Sequence, residues 1–368
     1  MKILLLGEYS NVHNTLALGL RELGHEVTVA SDGDHWKDYP RDIDLSRRSL
    51  GKWDTFCYWW KVKRAFRKFK GFDVVQIINP VFLDFRAERH WAFYEQLRQN
   101  NRSLFMGAYG MDYYFVNACL DCKTFRYSDF NIGNQIRENK DNEVWLEDWY
   151  KGSKGQLNHK VAEDCDGIVA GLYEYYASYE PHFKDKVAYI PFPIQLSATE
   201  SFSQRGLHEK VKFFIGIQKG RSAYKGTDIM LRALERVAAE YSDSCEIVKV
   251  ESVPFAEYRK LMRGSDVILD QLYSYTPAMN ALEAMAQGLV VVGGGEPENY
   301  EILNEKEIFP IINVLPDEEQ VYEALRAIVM NREKLPELSA QSRLYIQRHH
   351  DHVKVAQQYL DFWKSKMK

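Results

Sequence analysis

The feature that most constrains this chain is an alternation of short apolar runs with amphipathic helical stretches, made twice over. In the first half, residues 3–6 are an apolar run, and a helix is predicted over 14–23 with Leu16, Leu20 and Leu23 on one stripe. Gly24 ends it, since glycine tolerates the left-handed position past a helix C-terminus. Further strands are predicted at 26–30, 73–78, 103–107 and 167–170, with a long helix over 84–99. The first half closes at 187–194, where Pro191 and Pro193 fix the backbone and exclude a helix or a central strand. A polar segment, 197–210, reads as a linker. The pattern then restarts with strands at 211–217, 246–250, 266–269 and 289–292, helices at 227–241, 255–263 and 277–287, and a mostly helical tail from Asp317. Strands alternating with helices imply parallel α/β sheets. The expected organisation is therefore two Rossmann-like, doubly wound domains facing across a cleft. Residues 1–195 form the first domain and 196–350 the second, with a last helix, 351–368, packing back towards the first. In open sheets of this kind ligands sit at the carboxyl ends of the strands.

Composition narrows the function classes. A length of 368 residues suits two domains, and the net charge of -4 gives no global basicity for nucleic acid, so none is expected as a partner. No stretch approaches the ~20 apolar residues of a membrane span. The run at residues 4–6 ends at Glu8, too short for a secretory signal, so the expected location is cytoplasmic. The 5 cysteines include one C-x-x-C, Cys119 and Cys122, with no second ligand pair for zinc. They read as small residues beside a loop.

The densest motif lies in the second half: DVILDQ at 266–271, NALEAMAQG at 280–288 and LVVVGGG at 289–295. It reads as strand, loop, helix, tight turn, strand and loop. A second stretch, FFIGIQKGRSAYKGTD at 213–228, carries a Lys-Gly and an arginine after the first strand of that half. With these residues the chain resembles the retaining GT-B glycosyltransferases related to glycogen and sucrose synthases (family 4), of the bacterial cell-surface polysaccharide type. The resemblance implies that Glu283 accepts hydrogen bonds from the nucleotide ribose. It implies that Arg221 and Lys225 hold the donor diphosphate, with Lys219 nearer the usual arginine spacing. Fixed cations there stabilise the departing diphosphate more than the ground state. The loop with Gly294 and Gly295 matches in position, and glycines let backbone N–H groups approach a phosphate. In the first half, 166–175 resembles the family's last strand and turn, 190–194 its hinge, and 110–112 a stretch that contacts sugar or acceptor. Asp112, Tyr109 and His13 are the candidates for those contacts, Asp112 with a catalytic role.

Two departures from the family pattern stand out. The family's E-x7-E has its first glutamate near the donor sugar; Tyr275 holds that place and becomes the candidate contact there, with Asp270 and Gln271 able to serve the same region. The glycine pair that backs the diphosphate after the first strand is missing; Gly7 is followed by Glu8, Tyr9 and Ser10. Three Asp-x-Asp pairs, 32–34, 42–44 and 164–166, lack the context of a metal-dependent transferase. His349, His350 and His352 read as a solvated helix end, and no G-x-G-x-x-G follows the first strand. No metal and no cofactor beyond the nucleotide-sugar substrate is expected.

The function implied is transfer of a sugar from a nucleotide-diphosphate donor to a glycan or lipid-linked acceptor, with retention and without metal. Rival readings are a nucleotide-sugar epimerase on the same scaffold and a non-catalytic GT-B subunit. Residues 47–70 add a partner. They interleave Trp53, Phe56, Tyr58, Trp59, Trp60, Phe66 and Phe69 with seven cations between Lys52 and Lys70. At helical spacing Phe56, Trp59, Trp60, Lys63 and Phe66 are expected on one face, suited to an anionic membrane surface and so to the inner face of the membrane. The alternative is a core helix whose aromatics pack on the sheet.

Overall fold

The computed structural model describes residues 1–196, 208–217, 222–251 and 255–367. Two compact units emerge: unit 1 is Met1–Ala118, Val144–Gln195 and His352–Lys368, and unit 2 is Cys119–Glu143 and Leu196–Asp351. Most of the linker expected at 197–210 lies outside the described residues.

Unit 1 opens with β1 (Lys2–Leu6), α1 (Val12–Glu22), β2 (Glu26–Ser31), β3 (Ile43–Asp44), α2 (Lys52–Phe66), β4 (Val74–Ile77), α3 (His90–Asn100), β5 (Ser103–Ala108) and α4 (Tyr113–Leu120). The chain then enters unit 2 for a hairpin, β6 (Asn131–Ile132) and β7 (Gln135–Ile136). It returns along α5 (Lys140–Trp145) to α6 (Ser153–Asp164), β8 (Gly167–Ala170), α7 (Tyr173–Phe183) and β9 (Val187–Tyr189). Among the described residues the strands of unit 1 form one parallel sheet in the order β3-β2-β1-β4-β5-β8-β9. β1 pairs on both edges, Ile3 with Val27 and with Val74. Both of its faces are covered, which is why it is a continuous apolar run rather than an alternating one. Ile3, Leu4, Leu5 and Leu6 are wholly buried, each contributing roughly 1.5–3 kcal/mol.

Unit 2 continues with β10 (Val211–Ile217), α8 (Ser222–Lys225), α9 (Thr227–Glu240), β11 (Cys245–Glu251), α10 (Phe255–Arg263), β12 (Val267–Leu269) and α11 (Met279–Ala286). β13 (Val290–Gly293), α12 (Pro297–Ile302), β14 (Ile312–Asn313), α13 (Glu318–Met330) and α14 (Leu335–Tyr345) complete it. Its parallel sheet runs β11-β10-β12-β13-β14. Phe213, Ile215, Met230, Leu234, Val290 and Val292 form its core. The last helix, α15 (His352–Lys366), belongs to unit 1. Its Trp363 is wholly buried and donates its indole N–H to Gln76 on β4 at 3.2 Å.

Two expectations need correction. The helix predicted over 84–99 begins only at His90, after a 3-10 turn at Ala87–Arg89. Tertiary partners hold the preceding residues out of it: the Asp84 amide donates to the Tyr58 hydroxyl at 3.0 Å and the Leu83 amide to His90 Nε2 at 3.2 Å. The aromatics of α2 do not share one face. Tyr58, Val62, Ala65 and Phe66 are buried, and Trp59 packs against Phe85 and Phe93 with ring centroids 5.7 and 5.6 Å away. Trp53, Phe56 and Trp60 form the exposed stripe, at 73, 52 and 53% exposure, followed along the helix by exposed Lys63 and Arg64.

Candidate functional site

In each sheet the chain order reverses at one point, β1/β4 in unit 1 and β10/β12 in unit 2. Strands diverge to either side there, so the loops at their carboxyl ends part and leave a crevice, the usual ligand position in open α/β sheets.

In unit 2 the loop after β10 begins with residues 218–221, so Lys219 and Arg221 lie outside the described residues. Lys225 ends α8 half-buried and forms no ion pair among the described residues. Its carbonyl accepts the Leu272 amide at 3.0 Å, which stitches the loop after β10 to the loop after β12. Gly226 follows at φ 72, where a Cβ would stand 2.9 Å from Leu272, so only glycine fits this turn. Across the crevice Asp270 closes β12. Burial pushes its pKa up, opposed by the Lys225 charge and by the Asn280 amide, which donates to Asp270 Oδ1 at 2.8 Å. Glu283 on α11 is partly exposed and pairs with Arg259 at 2.6 Å.

Tyr275 is a correction. It is 2% exposed, and its hydroxyl accepts the Arg126 backbone N–H at 2.6 Å. The Arg126 guanidinium stands 4.7 Å from its ring centroid and pairs with Glu296 at 2.8 Å and with Glu298. Tyr127 donates its hydroxyl to Glu296 at 2.6 Å, and Arg137 lies 3.3 Å from the Tyr273 ring centroid. The excursion 119–143 thus occupies the surroundings of position 275, and the tyrosine is committed to holding it. The glycine loop also has an internal reason. A Cβ on Gly294 would come within 2.2 Å of the Ser274 carbonyl oxygen. The Gly295 N–H donates to Asn313 at 3.0 Å and the Glu296 N–H to the Tyr275 carbonyl at 3.1 Å, so these two amides do not face a phosphate.

In unit 1 the missing glycine pair has a physical counterpart. Glu8 is 2% exposed, and its carboxylate accepts the His13 and Asn14 amides at 3.2 and 2.9 Å. The N-terminus of α1, where a doubly wound sheet would offer N–H groups to phosphate, is capped by the chain's own carboxyl group. His13 is wholly buried, with its Nδ1 2.8 Å from the Gly7 carbonyl and its Nε2 unpartnered. Burial lowers its pKa to about 3, so the ring is neutral. Tyr109 meets His13 edge-on at 6.3 Å and shares a hydrogen bond with the Tyr359 hydroxyl of α15. Asp112 is wholly buried at the start of α4, accepting the Phe115 amide at 2.9 Å and the Tyr179 hydroxyl at 2.8 Å. Burial raises its pKa to about 7. The structure brings His13 and Tyr109 together, but Tyr109 and Asp112 are engaged inside unit 1. That corrects the expectation that they face a substrate.

The Asp-x-Asp pairs are likewise taken. Asp34 accepts the Ser10 amide and Lys37, Asp44 accepts Arg41 and Lys61, and Asp166 accepts Arg98 and the Leu104 amide. His349 binds Glu305 at 2.6 Å and His352 binds Glu22 at 2.9 Å. Sequence reasoning missed Arg126, Tyr127 and Glu296, because no local motif marks residues that meet across some 170 positions.

Comparison with known proteins places this geometry. Residues 205–361 match the family model described as glycosyl transferase-like. No curated protein matches the sequence. Solved structures do match in fold. The Anabaena protein HepE in complex with UDP and glucose gives a TM-score of 0.60 at 12% identity, covering 99% of this chain and 100% of that one. WaaG, a glycosyltransferase involved in lipopolysaccharide biosynthesis, gives 0.56 at 14% identity over 98% and 99%. UDP-GlcNAc 2-epimerase from Neisseria meningitidis, bound to UDP-GlcNAc, gives 0.56 at 13% identity over 99% and 100%. The chain has the GT-B fold, and its residues 205–361 match the glycosyl transferase-like model.

Proposed function

We propose that this protein transfers a sugar from a nucleoside-diphosphate donor to a hydroxyl of a glycan or lipid-linked acceptor, with retention of configuration and without a metal ion. The observation that carries the reading is Lys225, a half-buried cation with no ion pair among the described residues, at the crevice where β10 and β12 diverge. A fixed ammonium there stabilises diphosphate charge as the bond from sugar carbon to phosphate oxygen breaks. Arg221 supplies a second cation on the same loop, and Lys219 a third. Glu283 receives the ribose hydroxyls. Retention follows if the acceptor hydroxyl attacks on the face the diphosphate leaves, giving its proton to the departing phosphate oxygen; no protein nucleophile is then required, and positioning does the rest. Gly294 and Gly295 shape the loop beside this site. In unit 1, His13, Tyr109 and Asp112 hold the loops of the acceptor side in place.

Calorimetric titration with UDP, GDP and ADP tests the reading. One of them binds, with chelator present. Lys225→Ala and Glu283→Ala each weaken that binding by about 1.5–3 kcal/mol, the loss of a hydrogen bond to a charged group. Binding restored only by magnesium or manganese would overturn the metal-free reading, and no binding at all would overturn the donor site. The likeness to an epimerase adds a second arm: the donor sugar, incubated without acceptor, keeps its configuration if the protein is a transferase. The exposed Trp53, Phe56 and Trp60 of α2, followed by exposed Lys63, Arg64, Arg67 and Lys68, support peripheral binding at an anionic membrane surface, and with it a lipid-linked acceptor.

A further inference from the structure

We propose that Asp270 is the carboxylate that receives a hydroxyl of the transferred sugar, in place of the residue at position 275; the inference rests on reading unit 2 as the donor site. Asp270 stands at the carboxyl end of β12, the middle strand of its sheet and one edge of the crevice where the chain order reverses. Its environment orients it. A carboxylate only accepts, so the Asn280 amide must turn its NH2 towards Asp270 Oδ1, at 2.8 Å. The Asn280 carbonyl oxygen is thereby left to the Tyr258 hydroxyl, which donates to it at 2.9 Å. Tyr258 in turn fits beneath Gly216 at the end of β10, where a Cβ would stand 2.6 Å from the phenol oxygen. Side chains from α10 and α11 therefore fix one oxygen of Asp270.

The other oxygen, Oδ2, has no hydrogen-bond partner among the described residues, and it is not one of the sealed, unsatisfied polar atoms of this structure. Among the described residues it is an acceptor with no donor, on a side chain that is 8% exposed. Its ligand must be a donor. A phosphate oxygen would be repelled, whereas a hydroxyl gives a hydrogen bond to a charged acceptor. Asp270 is also close enough to Lys225 to feel its charge. A cation for a diphosphate and a free acceptor for a hydroxyl, side by side, match the junction of a diphosphate with a sugar. Tyr275 offers no such acceptor, since its hydroxyl is taken by the Arg126 amide and its ring is covered by the Arg126 guanidinium.

Asp270→Asn tests this. It keeps the shape, but with the Asn280 NH2 still needing an acceptor, the new amide turns its own NH2 towards the ligand. Affinities are measured by calorimetry for three matched pairs, UDP with UDP-glucose, GDP with GDP-mannose and ADP with ADP-glucose, and the pair that binds the unaltered protein is followed. The expected result is that Asp270→Asn leaves nucleoside diphosphate affinity within twofold and weakens the nucleotide sugar at least tenfold, with Asp270→Ala behaving alike. Tyr275→Phe leaves the ratio of the two affinities within twofold. Equal loss for both ligands would mean that Asp270 acts through Lys225, and no loss for either that it meets no ligand; each overturns the inference while the donor site stands. An unaltered protein that binds no member of any pair overturns the donor site itself, and the inference with it.

Discussion

At the scale of the residue, the most consequential side chain outside the crevice of unit 2 is Glu8. Burial raises its pKa to about 8, against the helix amides that favour its charged form. The native state therefore keeps a proton that the unfolded chain releases near the ordinary carboxylate value. Stability is complete below that value and is lost as pH rises towards 8, by at most about 1.4 kcal/mol per pH unit. Asp112, raised to about 7, adds a loss of the same sign that ends one unit earlier. Urea unfolding at pH 7 and 8 should show stability falling between the two, and Glu8→Gln should flatten that step; below about pH 6.5 the buried His13, lowered to about 3, works in the opposite sense, because the unfolded chain there binds a proton that the native ring does not. Parallel curves for the two proteins would mean that Glu8 titrates normally. That Glu8 lies after the first strand is plain in the sequence; that it caps the helix in place of a ligand is decided by the turn, where Ser10 and Asn11 take φ 51 and 72.

At the scale of the element, α2 separates local pattern from tertiary placement. Its composition announced a basic aromatic helix, and a helix is what forms at Lys52–Phe66. Periodicity alone did not say which aromatics the sheet would cover. The buried face is chosen by the partners: Phe85 and Phe93 take Trp59, and Phe93 also takes Phe66 at 4.7 Å. What stays outside is Trp53 stacked on Phe56 at 5.8 Å, with Trp60 edge-on to Phe56 at 6.2 Å. Liposome co-sedimentation should show binding to anionic but not neutral vesicles, weakened by salt. Arg64, Arg67 and Lys68 changed together to Glu should abolish it, because each cation near such a surface adds roughly 1 kcal/mol. Trp53, Phe56 and Trp60 changed to Ser should weaken it without lowering thermal stability, since none of the three is buried. Equal sedimentation with both vesicle types would remove the membrane from the account.

At the scale of the whole molecule, neither unit is one continuous stretch of chain. Unit 1 is completed by α15 from the far end of the sequence, and unit 2 by the excursion 119–143 from the first half. In α15, Val355, Ala356, Tyr359, Leu360 and Trp363 are buried to 1% exposure or less. At roughly 1.5–3 kcal/mol for a large apolar side chain, their loss is comparable with the ~5–15 kcal/mol that holds a domain folded. A chain ending at Asp351 should therefore lose hydrogen-exchange protection in β1, β4 and β5 while β10, β12 and β13, in a core of their own, keep it. Loss of protection in both sheets together would show that unit 2 depends on unit 1 for its stability.

What the sequence determined by itself was whatever local physics dictates. Apolar runs bounded by glycine became β1, β8, β10 and β13 within a residue or so of their expected limits, because burial on both faces demands continuous apolar strands. The run at 280–288 became α11 and its turn, and Lys225-Gly226 became a turn that only glycine can make. What tertiary structure decided was every role that depends on a distant partner. Tyr275, Tyr109 and Asp112 looked like residues facing a ligand and proved to be committed to Arg126, Tyr359 and Tyr179. Asp270, by contrast, keeps one oxygen without a partner among the described residues, because Asn280 satisfies only the other. A side chain's type shows which bonds it can make; only the folded arrangement settles which of them are already made.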